Sequence, residues 1–557
     1  MKLAGLTIAS FFVSAAIYYV HSRSLFFLGH FQFYVLLWCV WLAHAAGLLF
    51  YSVILWPKYL SPLRHLPEPT EGRSWWNGYG KRAFFGSKGE PVAQWNKSVQ
   101  NDGIFRYLDV LNIERVAVTS PELVGQVLAR IQDFEQSHNL FRLAMPILGP
   151  GIVLINGEEH KRQRKLLAPL LATKEIRELD GIFWGKSLEL LEQITDVVAK
   201  TASATGFSEP ICVDHYAGHV TLDGISKAAL GMDFESLKNP NSEIVSNYRG
   251  VFEPTAIFRF MAVCKIFFPR WLSESIPLQR VKEAKRAIEL IHNVCRTSAQ
   301  SKMRLNANKE LTTPDLISCL VRDRGVTNEE ELVTHSMQML GAGHETVGVG
   351  ITWGIYEFCR QAKWQQDIRA EVRANLPQPG SGASPPKFAL EPDKMPLLNA
   401  YMSECLRYWP PVGQIGRMTA HDTVLHNQLI PKGTTVHVSI RSFNRNPVNW
   451  GADAGVFKPE RWLRRDEATG DLVYVPNGGA LTKQALMTFI HGGRDCIGRV
   501  FARSEMLHVL ATLVGRFEFV LTDLSYMDET TIPVSGAGFA YKPRDNIYVH
   551  ARQIPGW

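Results

Sequence analysis

The 557-residue chain lacks a C-x-x-C pair, an internal repeat and any arginine-rich stripe with interleaved aromatics, and only 20% of its residues are charged. Each absence removes a class. The eight cysteines, at 39, 212, 264, 295, 319, 359, 405 and 496, are too scattered for a zinc site or a redox dithiol and fit a reducing, cytosol-facing location. The net charge of +7 is mild and spread along the chain, so nucleic acid is not expected as a partner. With 46% apolar residues the composition excludes a disordered, collagen-like or disulfide-stapled protein and leaves a globular or membrane-attached one.

Long uncharged runs stand at the amino terminus. Residues 3–20 carry no charged side chain, and residues 24–56 carry His30, Gln32 and His44 but no formal charge. A bilayer-crossing helix needs about 20 apolar residues, and the aromatic-rich stretch 33–56 is the stronger candidate. One span or two both remain open, as does a cleaved signal peptide followed by a core helix. Pro57, Lys58, Pro62, Arg64, His65, Pro67 and Pro69 then form a basic connector, expected to stop any helix and to lie on the cytosolic side. The expected organisation is a membrane anchor over 1–56, the connector over 57–70 and one unit over 71–557.

That unit reads as mainly α with a minor β component. Residues 115–119 and 436–440 have strand character, whereas most of the rest follows the helical period. Thr327-Asn328-Glu329-Glu330 has the form of a capping box opening one long central helix through Leu340 and Thr346 towards Cys359. A second helix is expected from Pro396, and a last one from Cys496 or just after it to about Val514.

The segment Phe489-Ile490-His491-Gly492-Gly493-Arg494-Asp495-Cys496-Ile497-Gly498 delivers a cysteine from a glycine-rich loop to a helix start. Its glycines permit positive φ and a close approach of a flat cofactor to the backbone. Free N–H groups at a helix start favour a thiolate, the ligand an iron centre needs to push electron density towards oxygen.

This segment resembles, at every fixed position, the F-x-x-G-x-R-x-C-x-G signature of the cytochromes P-450. The resemblance implies the P-450 fold and a thiolate-ligated haem, with Cys496 as the axial ligand, Phe489 screening its sulfur and Arg494 pairing with a propionate. Gly498 belongs to the same motif. Further matches follow the family's order. Glu404-Cys405-Leu406-Arg407 is similar to its E-x-x-R pair and Pro459-Glu460-Arg461-Trp462 to its P-E-R-F segment, together implying a buried Glu404–Arg407–Arg461 network. Ala342-Gly343-His344-Glu345-Thr346 is similar to A-G-x-[DE]-T, with Ala342 and Gly343 making room for dioxygen and Glu345 and Thr346 delivering protons. Arg164, His160 and Arg417 are the further haem contacts it implies. His160 stands where the family often has tryptophan, and Asn444 where many relatives have histidine; no function is attached to Asn444.

The resemblance implies a monooxygenase that uses O2 on a lipophilic small molecule, in a manner similar to fungal secondary-metabolism members such as those making terpenoids or polyketides. The chain shows no flavin or nicotinamide extension, so electrons are expected from an NADPH-dependent flavoprotein reductase in the same membrane, that of the endoplasmic reticulum. Lys161, Arg162, Lys165, Arg499 and Arg503 are its expected docking patch. Apolar residues within 134–152, 255–268, the stretch before Ala342 and 535–539 are expected to line the substrate pocket. The rivals are a haem-thiolate isomerase or dehydratase that needs no O2, and a non-catalytic haem-binding protein.

Overall fold

The computed structural model describes residues 11–17, 19, 30–85, 90–252, 264, 279–384, 386–387, 389, 391–534 and 540–557. Helices dominate, and a five-stranded sheet lies to one side. In that sheet the strands run in the order Ile104–Leu108, Glu114–Val118, Thr435–Ser439, Gln414–Thr419 and Phe134–Gln136. Glu114–Val118 pairs parallel with Thr435–Ser439, which brings chain segments more than 300 residues apart into one register, Val116 opposite Val436. The expected strands are therefore present, although residue 440 already opens a short helix.

The main core forms where the helices Asp180–Thr201, Val213–Leu230, Glu345–Arg360, Pro396–Tyr408 and Arg499–Arg516 meet. Their apolar faces are wide: Trp353, Tyr401 and Leu510 are fully enclosed, and the rings of Trp353 and Trp409 stack at 4.1 Å between centroids. Burial of this apolar surface, at roughly 25 cal/mol per Å², is what holds the bundle together.

Three local features differ from the sequence reading. The central helix is two helices, Glu329–Gly343 and Glu345–Arg360, divided at His344. The hydroxyls of Tyr248 and Thr346 donate to the carbonyls of Leu340 and Ala342, each at 2.8 Å, and such intrusion into the backbone ladder interrupts a helix. The cap of the first half is Asn328 rather than Thr327; its side chain accepts from the Glu331 N–H at 3.2 Å, and three glutamates occupy the positive first turn.

The third difference is at the anchor. The helix His30–Phe50 continues as a wide-turned segment, Tyr51–Leu60, with Pro57 inside it. Pro57 does not end the helix: it has no N–H to give back to the preceding turn, where Asn112 Nδ2 donates to the Val53 carbonyl at 2.8 Å, and the widened turn beyond it closes with Ser61 N–H on the Trp56 carbonyl at 2.8 Å. Residues 35–60 are long and apolar enough to cross a membrane. The first candidate span, 3–20, falls largely outside the described residues.

Candidate functional site

The helix Arg499–Arg516 starts at Gly498, two residues beyond Cys496, so the cysteine sits in the loop and not on the helix itself. The loop closes on itself. Cys496 N–H donates to the Phe489 carbonyl at 2.8 Å, Ile490 N–H to that of Met487 at 2.8 Å, and Asp495 N–H to that of Gly492 at 3.1 Å. Among the motif glycines only Gly492 has a positive φ, +84°, and a Cβ there would stand 3.1 Å from the Leu128 carbonyl oxygen. The other left-handed residue of the loop is Ile490, at φ +59°. Gly498 is under no such constraint: its φ is −85°, and a Cβ on it would lie 3.9 Å from the Cys496 sulfur, an ordinary van der Waals contact. Phe489 is half-buried against the core beside the loop.

Cys496 keeps accessible surface although many protein atoms lie around it. Burial pushes its thiol pKa up, and the Gly498 N–H, Arg499 and Arg164 only partly offset that. The helix start is therefore too weak to make a thiolate by itself. A metal ion deprotonates a coordinating thiol outright, and this donor fits an iron.

Around this loop gather four side chains that carry or can carry positive charge, from three separate segments: the loop itself, the helix Gly157–Leu167 and the strand Gln414–Thr419. Arg494 donates to the Ile155 carbonyl at 2.6 Å and the Asn156 side chain at 2.5 Å, and its Nε has no partner. Arg417, 5% exposed, donates to Gln136 Oε1 at 2.8 Å. Burial and the neighbouring arginines hold the pKa of both guanidinium groups down to about 10. His160, 4% exposed, has its pKa lowered to about 4 by burial and by Arg494, Arg164 and Arg417, so it is neutral and offers one N–H. Arg164 donates to the Asp495 carbonyl at 2.9 Å and pairs with the Asp495 carboxylate. Buried cations need anions nearby. Asp495 is already engaged by Arg164, and Glu135 acts on Arg494 only at longer range. A cofactor with carboxylate arms suits this cluster, which fits the propionates of haem.

The break in the central helix carries the other group of expected residues. Ala342 and Thr346 keep accessible surface there. At Gly343 a Cβ would meet Ile225 Cδ1 at 2.8 Å, so its missing side chain admits Ile225 of the helix Val213–Leu230. Glu345 Oε1 is paired with Lys542 Nζ at 3.0 Å. His344, between them, is half-buried, and desolvation lowers its pKa to about 4.

Behind the cysteine loop, Glu404 and Arg407 form a fully enclosed pair, with Arg407 Nε and Nη2 each 2.7 Å from the carboxylate. Glu404 also accepts from Arg461 Nε at 3.2 Å, from the Lys458 N–H at 2.7 Å and from Trp462 Nε1 at 2.9 Å. The expected network is present.

Two members of the site were not visible in the sequence. Asn444, fully buried, accepts from the Met487 N–H at 2.7 Å and donates to Thr488 Oγ1 at 2.9 Å, and so grips the strand of chain that leads to Phe489. Lys542 lies 197 positions from its partner Glu345 and in no motif.

The basic patch divides. Lys165 and Arg499 are exposed. Lys161 pairs with Glu158 at 2.6 Å, Arg162 with Glu159 and Glu331 at 2.7 Å, and Arg503 is half-buried against Ser403 and Asn399. Of the expected pocket-lining segments, 255–268 (save Cys264) and 535–539 lie outside the described residues.

A family model described as cytochrome P-450 matches residues 69–547. Among similar curated proteins, cytochrome P-450 monooxygenase buaD of Petromyces alliaceus is 35% identical, over 91% of this chain and 91% of its own length. Cytochrome P-450 monooxygenase sphH of Aspergillus fumigatus is 32% identical over 92% of each. Cytochrome P-450 monooxygenase ALT8 of Alternaria alternata is 31% identical, over 94% of this chain and 93% of its own length.

Proposed function

The chain belongs to the cytochrome P-450 family of haem-thiolate monooxygenases, and from that premise we propose that it hydroxylates or epoxidises a lipophilic small molecule in fungal secondary metabolism. The observation that carries this reading is the gathering of Arg494, Arg417, Arg164 and the neutral His160 beside the Cys496 loop. Cys496 would ligate the iron, and the three arginines with His160 would hold the propionates.

The haem supplies activation of O2, strengthened by electron release from the thiolate. The chain's own contribution is placement and protons. The Phe489 carbonyl fixes the Cys496 N–H and so aims the sulfur, while the phenyl ring fastens the loop to the main core. At the break in the central helix the Thr346 hydroxyl donates a hydrogen bond to the Ala342 carbonyl and keeps its oxygen lone pairs for an incoming donor. Glu345 would take up a proton from the Lys542 ammonium, which solvent replenishes, and pass it on towards the Thr346 hydroxyl. Apolar and small walls near Ala342 select substrates by shape.

Electrons come, in this reading, from a separate NADPH-dependent flavoprotein reductase docking near Lys165 and Arg499. Residues 35–60 anchor the chain in the endoplasmic reticulum with the catalytic unit on the cytosolic side. The test is co-expression with such a reductase, feeding of terpenoid and polyketide scaffolds, and mass analysis under isotopically labelled O2. One labelled oxygen in the product supports the proposal. Conversion that proceeds without O2 or NADPH contradicts it.

A further inference from the structure

The end of the anchor helix is built into the catalytic unit instead of being tied to it by a loose tether. Trp56 Nε1 donates to Glu114 Oε2 at 3.1 Å, and Arg106 joins the Pro57 carbonyl to the other Glu114 oxygen, at 2.9 Å each. Asn112 donates to the Val53 carbonyl at 2.8 Å and to the Trp75 carbonyl at 3.1 Å, so one amide ties the helix to the loop that carries Trp75. Ile54 and Pro57 are buried at this junction. Glu114 and Arg106 belong to adjacent strands of the five-stranded sheet, so the helix end and the sheet move together.

Beside this junction stand Trp75 and Trp76, 65% and 56% exposed. Exposed tryptophan pairs are costly in water unless something covers them. Lys58 Nζ lies 4.5 Å from the Trp75 ring centroid, which places Trp75 at the level of the helix end. On either side of it in the chain are the exposed Arg64, His65, Arg73, Lys81 and Arg82, against Glu68 and Glu71.

The helix length says what lies at that level. From the helix start at His30 to residue 52, just before the first junction contact, 23 residues rise about 34 Å at 1.5 Å per residue, enough to cross the roughly 30 Å of a hydrocarbon core. Lys58 and Trp75 then stand in the headgroup layer. Tryptophan concentrates in that layer because its ring is apolar and its N–H polar, and nearby cations favour anionic lipid.

We propose that Trp75 and Trp76 form a second lipid-contacting edge, seated in the headgroup layer beside the helix end, so that two joined contacts hold the catalytic unit at a fixed tilt on the bilayer. This rests on the reading of 35–60 as a membrane anchor. A second copy of the chain is the competing occupant of the edge, but the position of Trp75 beside Lys58 favours lipid.

The test reconstitutes the full-length holoenzyme in phosphatidylcholine–phosphatidylserine vesicles containing a phosphatidylcholine with a photoactivatable group near its glycerol. Lipid adducts are then mapped on tryptic peptides. Adducts on residues 74–81 as well as on the peptide 24–58 support the proposal. Adducts on 24–58 but none on 74–81 overturn it and leave the anchor reading intact, whereas none on either overturns the anchor reading itself. Trp56→Phe with Asn112→Gly loosens the junction, the glycine suiting the φ of +53° at Asn112. The expected result is several-fold less labelling of 74–81 with that of the anchor unchanged. Unchanged labelling of both would overturn the fixed tilt.

Discussion

Arg407 Nη1 donates to the Asn444 backbone carbonyl at 2.8 Å, and the Asn444 side chain in turn accepts from the Met487 N–H at 2.7 Å. The enclosed Glu404–Arg407 pair thereby reaches the chain that runs into Phe489 and Cys496 through a single buried amide. Thr488 joins the same group by donating to the Leu406 carbonyl at 2.6 Å. The iron-ligand loop is thus fixed from behind by a polar network with well-satisfied partners, the condition under which buried polar groups specify one conformation.

Asn444→Ala would leave the Met487 N–H without its acceptor. A buried unsatisfied donor costs about 1–3 kcal/mol, so the variant should melt several degrees lower and lose haem faster to an apo-protein trap. Equal melting and equal haem loss would remove Asn444 from the network.

Thr346→Val and Glu345→Gln should leave haem binding intact and lower product formed per NADPH consumed, by about 10²-fold for a lost proton relay. The diverted electrons should appear as hydrogen peroxide. Lys542→Met frees the carboxylate held at 3.0 Å and should change the pH profile of coupling. A variant of Glu345 or Thr346 that couples as well as the parent would show that protons arrive by another route.

Lys165→Glu and Arg499→Glu should slow reduction by the flavoprotein several-fold at low salt, an effect that shrinks as salt rises. Lys161→Glu and Arg162→Glu should do less, since Glu158, Glu159 and Glu331 already neutralise these side chains. Stopped-flow reduction under carbon monoxide reads this directly, and equal slowing by all four would contradict the division of the patch.

Glu357 is fully enclosed, and burial pushes its pKa up from 4.5 to about 7, against the pull of Arg360 and Trp409. The folded state therefore binds this proton more tightly than the unfolded one. Its contribution to stability is present below about pH 4.5 and is lost as pH rises through about 7. The stability of wild type minus that of Glu357→Gln should fall by roughly 3 kcal/mol across this window and then level off. Parallel urea-unfolding profiles for the two proteins would contradict it.

Much of the site was legible in the sequence because its chemistry needs fixed local spacing. The cysteine loop, the i, i+3 pair Glu404 and Arg407, and Thr346 beside Glu345 are such patterns. What escaped was set by long-range packing. The break at His344 depends on Tyr248, 96 positions upstream, and Gly343 is small for the sake of Ile225. The helix runs past Pro57 because Arg106, Asn112 and Glu114 meet it there. Thiolate formation was read from the helix start, but desolvation outweighs that influence.

The most direct test of the central claim is the absorption spectrum of the reduced protein under carbon monoxide, recorded for wild type and Cys496→Ser. A main haem band shifted strongly to the red in wild type and lost in the variant is the predicted result. An unshifted band in well-folded wild type would contradict a thiolate from Cys496 on the iron.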